Sequence, residues 1–147
     1  MEPAAGAVTR SIDLPVTADE AWASIRDAEG LVGWLGDSVE LDEIVAGAAG
    51  TVREGDAVRR LVVTEVDEGR SVGFVWWDEA APQEASVVRI VLTPADEGTT
   101  VTVTERMAGT ASASIGAASV GDLFREDAWD RRLQALVGTC SLTDALV

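Results

Sequence analysis

Single-residue alternation of apolar and polar positions marks most of this chain and is typical of strands with one buried face. It begins at Val8, where residues 8, 10, 12 and 14 share one side, and Pro15 ends the segment. The same pattern returns after residue 38. It predicts further strands over residues 39–41, 51–53, 58–66, 72–76, 87–93 and 99–106.

Two short helices are predicted between the first strand and the others. Thr17 and Glu20 have the spacing of a capping box, in which each side chain bonds the other residue's backbone amide. The helix that follows places Ala18, Ala21, Trp22 and Ile25 on one face, and Gly30 is expected to end it. A second short helix is predicted over residues 31–35.

A long helix is predicted near the end of the chain, over residues 120–137 with Gly138 at its C-terminal end. Trp129, Leu133 and Leu136 form its apolar stripe, with the spacing of one helical face. Small residues over 108–119 predict a loop before it.

This order of elements predicts an α+β protein. We expect a helix-grip fold: a curled antiparallel sheet of six to seven strands, two short helices and a long C-terminal helix lying on the sheet. Residues 1–7 are expected to form a loose tail, and residues 8–147 a single domain.

The composition disfavours several partners. Twenty-six acidic residues against 11 basic ones give a formal net charge of −15, which repels nucleic-acid phosphates and anionic membrane surfaces. No segment has the length and apolarity of a membrane span or a signal peptide, so we expect a cytoplasmic protein. Basic protein surfaces remain compatible partners.

Missing residue types limit the chemistry. The chain has no His and no Tyr, all 11 of its basic residues are Arg, and Cys140 is its only cysteine. Histidine-dependent triads, lysine Schiff bases, His or multi-Cys metal sites and intramolecular disulfides are therefore excluded. We expect neither a metal nor a cofactor.

Short motifs occur in order along residues 8–140. They are Ala21-Trp22, Gly33-Trp34, Val39-Glu40-Leu41-Asp42, Val63-Thr64-Glu65-Val66-Asp67, Val72-Gly73-Phe74-Val75-Trp76, Gly98-Thr99-Thr100-Val101-Thr102-Val103 and Trp129-Asp130-Arg131-Arg132-Leu133-Gln134-Ala135-Leu136. Through these motifs and the order of its elements, the sequence resembles the START-like (SRPBCC, Bet v 1-like) superfamily, and within it the family of the Aha1 C-terminal domain, an activator of the Hsp90 ATPase.

The chain departs from the commoner family pattern at two positions. Ala128 stands where a Gly often precedes the tryptophan of the last helix, and Glu105 stands where the last strand often carries His. The resemblance implies the helix-grip fold, but relatives include lipid and hormone binders, polyketide cyclases and proteins of no known activity. Fold-level analogy therefore does not select one function.

A cavity between the sheet and the last helix is the predicted binding site. Strand alternation and helix spacing direct a set of side chains towards it, and Trp34 lies near its mouth. The predicted ligand-binding residues are Trp34, Phe74, Trp76, Ile90, Val103, Glu105, Trp129 and Leu133. No catalytic residue is predicted, except that Glu105 would move protons if the protein were an enzyme.

Three hypotheses follow from these observations. The favoured one is non-enzymatic binding of an apolar small molecule, such as a lipid or a polyketide, in the cavity. An aromatase/cyclase-like enzyme would use the same cavity to orient a reactive chain. A co-chaperone-like interaction module would instead need an exposed apolar patch for a protein partner, and a solidly filled interior would favour it.

Overall fold

A computed structural model describes residues 8–107 and 128–138 of the chain. Seven strands form one antiparallel sheet in the order β1-β7-β6-β5-β4-β3-β2. The sheet is curled, which confirms the predicted α+β helix-grip class. The strands are β1 Val8–Leu14, β2 Ser38–Glu40, β3 Ala49–Glu54, β4 Ala57–Asp67, β5 Ser71–Asp78, β6 Ser86–Ala95 and β7 Gly98–Met107.

Helix α1, Ala18–Trp22, begins as predicted. The backbone amide of Glu20 donates to the Thr17 hydroxyl, and the amide of Thr17 donates to the Glu20 carboxylate. Both halves of the capping box are therefore present.

Helix α2, Ala28–Leu31, starts earlier than predicted and contains Gly30, so the prediction that Gly30 ends the first helix is wrong. Asp27 caps α2 by accepting from the Gly30 amide at 2.9 Å. A glycine is needed at this position because a Cβ would collide with the backbone of Ala23 and Ser24.

Strands β5, β6 and β7 present the inner face that alternation predicts. The pairing is in register, with Phe74 opposite Val88 and Val88 opposite Glu105. The side chains at alternate positions of these strands are all buried: Val72, Phe74, Trp76, Val88, Ile90, Leu92, Val101, Val103 and Glu105.

The β6–β7 hairpin is tighter than the sequence suggests. The predicted loop covers residues 94–98, but Pro94 pairs with Thr99 and Ala95 pairs with Gly98. Both strands therefore run longer than predicted, and only two residues connect them.

Residues 128–138 are helical and are named α3. Trp129, Leu133 and Leu136 are buried, as the predicted stripe requires. The helix lies across the sheet, because Asp130 pairs with Arg10 of β1 at 3.0 Å and Arg132 bonds Glu54 of β3. The predicted tail, the predicted loop over 108–119, the part of the predicted helix over 120–127 and Cys140 lie outside the described residues.

No helix in the described ranges has the length and apolar character needed to cross a membrane.

A short 3₁₀ helix, Pro82–Glu84, joins β5 to β6. Its last residue, Glu84, lies two positions before β6 begins.

Candidate functional site

Two tryptophans meet where α3 crosses the sheet. Trp76 of β5 and Trp129 of α3 stack with ring centroids 5.9 Å apart and an interplanar angle of 26°. Phe74 packs edge-on against Trp76 at 5.3 Å. Stacked aromatic pairs at such distances add stability beyond the area that they bury.

Glu105 joins the two indoles. Trp76 Nε1 donates to Glu105 Oε2 and Trp129 Nε1 donates to Oε1, both at 2.8 Å. Glu105 is buried, and each of its carboxylate oxygens has one indole donor. The pairing gives a buried carboxylate the hydrogen bonds that it needs to remain in the core.

The cavity predicted between the sheet and the last helix would separate Trp76 of the sheet from Trp129 of the helix, and at this position the prediction is wrong. Their rings are in contact because one carboxylate holds both indole N–H groups. Ile90, Val103 and Leu133 are at most 2% exposed and fill the core between sheet and helix. A direct ligand contact at these three positions stays a prediction.

Trp34 lies away from the tryptophan pair. Its indole N–H donates to the carbonyl oxygens of Ser24 and Gly30 at 2.9 and 3.0 Å, which ties the segment after α2 to α2 itself and to the turn after α1. The side chain is only 2% exposed. Its predicted contact with a ligand likewise stays a prediction, and the observed bonds give it a structural role.

Open space lies directly beside the tryptophan pair. A cleft of about 530 Å³ is bounded by β3, β4 and β5 on one side and by α3 on the other. We call it the Trp76 cleft. Of the predicted binding residues, Trp76 and Glu105 line it, and it is further lined by Glu54, Arg59, Trp77 and Arg132.

Arg132 is the central cation of the Trp76 cleft and is only 4% exposed. Its guanidinium carbon lies 4.6 Å from the Trp129 ring centroid and 5.2 Å from that of Trp76. Arg59 lies over Trp76 at 4.9 Å. The guanidinium groups therefore cover the indoles on the side of the cleft, an arrangement that cation–π attraction stabilises.

Glu54 anchors both arginines. It accepts from Arg132 Nη2 at 2.6 Å and Nε at 3.2 Å, and from Arg59 Nη1 at 3.1 Å. Partial burial raises the pKa of Glu54, but the hydrogen bonds and charges of Arg132 and Arg59 together lower it more. The pKa of Glu54 therefore lies below its ordinary value, and the carboxylate is ionised at neutral pH.

Sequence reasoning missed Arg132, Arg59 and Glu54. For Arg132 a signal was present, because it follows Trp129 by three residues and therefore shares the buried face of the helix. For Arg59 and Glu54 the pattern gives no such signal, since charged residues in strands usually face solvent.

Comparisons with known proteins agree with this architecture. The sequence profile of the family described as polyketide cyclase/dehydrase and lipid transport matches residues 5–141. No protein with curated annotation matches the chain.

Three solved structures illustrate the likeness in fold. DynU16, from the dynemicin biosynthetic locus, is 22% identical with a TM-score of 0.75; the match covers 90% of this chain but only 46% of DynU16. CalU16 from Micromonospora echinospora is 16% identical with a TM-score of 0.71, covering 92% and 76% of the two chains. The Aha1 dimer from Colwellia psychrerythraea is 13% identical with a TM-score of 0.70, covering 88% and 92%.

Proposed function

The chain belongs to the polyketide cyclase/dehydrase and lipid transport family, and we propose that it binds an apolar small molecule in the Trp76 cleft without changing it chemically. The main support for this proposal is the position of the cleft between the curled sheet and α3. Ligand sites favour such concave spaces between packed layers, and Trp76 and Trp77 give this one an aromatic surface among charged side chains.

The rigidity of the tryptophan pair beside the cleft supports binding. Trp76 and Trp129 are fixed by stacking and by a shared carboxylate, so little side-chain freedom is left to lose when a ligand arrives. The volume of about 530 Å³ lies in the range of small-molecule sites.

The engagement of Glu105 supports a binding role over a catalytic one. A general acid or base must exchange a proton with the substrate through a free position on its carboxyl group. In Glu105 each oxygen already accepts an indole N–H at 2.8 Å. Proton transfer would have to use the remaining lone pair of one oxygen, on a side chain that is only 4% exposed.

A cyclase-like activity is the second candidate, because Glu105 lines the Trp76 cleft and the family description includes cyclases.

The exposed surface of the described residues gives less support to a protein-interaction module. Within the described residues, the large apolar side chains that are exposed are Val32 and Val45 alone. Two valines on different loops do not form the patch that docking would need.

Two measurements test the proposal. Native mass spectrometry of protein purified from its own source should show a co-purifying small molecule. Titration with fatty acids, aromatic polyketides and sterols should give saturable quenching or a blue shift of tryptophan fluorescence. The change should be smaller in Trp77→Phe, which removes one of the two tryptophans at the cleft, and kept in full in the matched variant Trp22→Phe, in α1.

Two results would count against ligand binding or its location. Absence of saturation with every class would contradict the binding function. Equal loss of signal in both variants would show that the response does not arise in the Trp76 cleft. If a titrated ligand returned chemically altered, and Glu105→Gln abolished the change, the cyclase candidate would replace the carrier.

A further inference from the structure

The outer face of the sheet, which is turned away from α3, has two halves of different chemistry. On β1 and β7 its side chains bond across the strands. Ser11 bonds Thr102 at 3.0 Å. Thr100 donates to Asp13 at 2.8 Å. A polar half of this kind is typical of a sheet face in water. On β4, β5 and β6 the outward positions are instead apolar: Val58, Val62, Val75, Trp77, Val87 and Val91.

Three of these valines form a straight row across the sheet, which we call the valine row. Val62 lies opposite Val75, and Val75 lies opposite Val87. Each is half-buried by its neighbours, so the continuous strip is the feature and no single side chain protrudes. Because a solvated sheet face normally carries polar side chains, this strip indicates a surface that is covered by another one.

A shallow dent lies beside the valine row. It has a volume of about 370 Å³ and is lined by Gly73, Glu65 and Arg89 among others. Gly73 has no side chain to fill this space. The bulge in β4 completes the dent, because the register shift between Val63 and Glu65 brings Glu65 opposite Gly73 on the outer face.

A ridge lies on the other side of the valine row, at the same distance from it. Trp77 is two residues after Val75 on β5, and Gly73 is two residues before it. Arg60 lies opposite Trp77, just as Glu65 lies opposite Gly73. Ridge and dent are therefore placed symmetrically about Val75, and their neighbouring side chains carry opposite charges.

This symmetry makes the surface complementary to a second copy of itself. A two-fold axis along the valine row would turn one sheet onto the other and exchange the two sides of the row. Trp77 of one copy would then lie over the dent at Gly73 of the second copy, and Arg60 would face Glu65 of the second copy. Both contacts would occur twice, because a two-fold interface uses the same patch on each copy.

The charge of this surface permits such a contact. Arg60 pairs with Glu79 at 2.7 Å, and Arg89 pairs with Glu65 at 3.5 Å. Arg106 is exposed at the end of the valine row, opposite Val87. These three arginines and two glutamates leave the surface close to neutral, although the whole chain carries a net charge of −15. Two copies that meet here keep most of their acidic residues apart.

The size of the surface fits a reversible dimer. About eight residues along each of four strands cover roughly 26 by 19 Å, or about 500 Å². A standard interface buries about 800 Å² on each partner, so this one lies at the small end. We therefore expect association in the micromolar range and a folded monomer.

We propose that the outer face of β4, β5 and β6 is a self-association surface, on which two copies of this chain pack face to face about a two-fold axis along the valine row. The tryptophan pair and α3 lie on the inner face of the sheet. Association and ligand binding can therefore be measured separately.

Sedimentation equilibrium of the full chain tests the surface. Over about 5–500 µM the wild type should show a reversible equilibrium between monomer and dimer. Val75→Glu brings a carboxylate from each copy to the axis, so it should weaken association about tenfold or more. Val75 is half-buried on the outer face, outside the core, and far-UV circular dichroism verifies that the variant is folded.

Charge exchange tests the axis. Arg60→Glu or Glu65→Arg alone should weaken association about tenfold, because like charges then face each other in both contacts. An equimolar mixture of these two variants should associate again, since each contact then joins opposite charges. Within one chain Arg60 pairs with Glu79 and Glu65 pairs with Arg89, so mixing cannot repair an internal pair. Recovery in the mixture therefore reports a contact between copies.

Arg26→Glu is the matched control, because it changes the net charge by the same amount at an exposed position between α1 and α2. It should leave the dissociation constant within about twofold. A wild type that stays monomeric at about 500 µM would overturn the proposal. A dimer that Val75→Glu leaves intact would assign the interface to another surface. A mixture of the two charge variants that stays monomeric would reject the axis along the valine row.

Discussion

Trp129 of α3 donates its indole N–H to Glu105 of β7 at 2.8 Å, so the helix is joined to the sheet by a carboxylate inside the core. The other oxygen of that carboxylate accepts from Trp76. The helix position and the orientation of both tryptophans therefore depend on one side chain. This dependence makes Glu105 the most informative position to change.

Glu105→Gln should destabilise the protein by about 1–3 kcal/mol. An amide has one acceptor oxygen, so it can satisfy one indole N–H but presents its own NH₂ group to the other. Urea titration monitored by tryptophan fluorescence measures the loss, and the exposed Glu84→Gln should change stability by less than about 0.5 kcal/mol. An unchanged midpoint in Glu105→Gln would contradict the shared-carboxylate arrangement.

Coupling between Glu105 and Trp129 should appear in a double-mutant cycle. Trp129→Phe removes one donor, so Glu105→Gln should cost less in that background than in the wild type. We expect an interaction energy of about 0.5–3 kcal/mol, as for residues in one hydrogen-bond network. Additive effects would show that the two side chains act independently.

Period-two alternation was enough to predict which side chains of β5, β6 and β7 face inward, including Glu105. Local capping chemistry likewise predicted the start of α1. These features depend on neighbouring residues alone, which is why the sequence contains them.

The contact between Trp76 and Trp129 could not be predicted in the same way. It depends on how closely α3 approaches the sheet and on the choice of rotamers, both of which are set by packing of distant segments. The Glu54–Arg132 pair joins residues 78 positions apart, and no periodicity links them. The position of the cleft follows from these long-range contacts.

Leu133→Ala should cost about 2–5 kcal/mol, because Leu133 is 2% exposed and its removal leaves a cavity between helix and sheet. Denaturant titration measures this loss. Val32→Ala, at a position that is 40% exposed, is the matched control and should change stability by less than about 0.5 kcal/mol. A loss below about 1 kcal/mol in Leu133→Ala would show that this helix face is not part of the core.

Low pH should weaken the hydrogen bonds and ion pairs that Glu54 makes with Arg132 and Arg59. Its pKa in the folded protein lies below the ordinary value of 4.5, because hydrogen bonds and charges from Arg132 and Arg59 outweigh the opposing effect of burial. The unfolded chain therefore binds the proton more readily. The stabilising contribution is complete above about pH 5 and is lost as the pH falls through the folded-state pKa.

Comparison with Glu54→Gln isolates this contribution, because the other carboxylates titrate in both proteins. The wild type should be more stable above about pH 5, and the difference should shrink as the pH is lowered towards about 3. Glu79→Gln, which removes the exposed partner of Arg60, should show a small difference at every pH. A pH-independent difference for Glu54→Gln would contradict the lowered pKa.

Two helical glycines should respond to alanine with opposite signs. Alanine generally stabilises a helix relative to glycine by about 0.5–1 kcal/mol. At Gly138 of α3 an added Cβ meets nothing within 4 Å, so Gly138→Ala should be neutral or stabilising. At Gly30 of α2 the Cβ would collide with Ala23 and Ser24 backbone atoms, so Gly30→Ala should destabilise the protein despite its helical conformation. Thermal unfolding of both variants measures the difference, and a gain in stability for Gly30→Ala would show that α2 does not pack closely against the turn after α1.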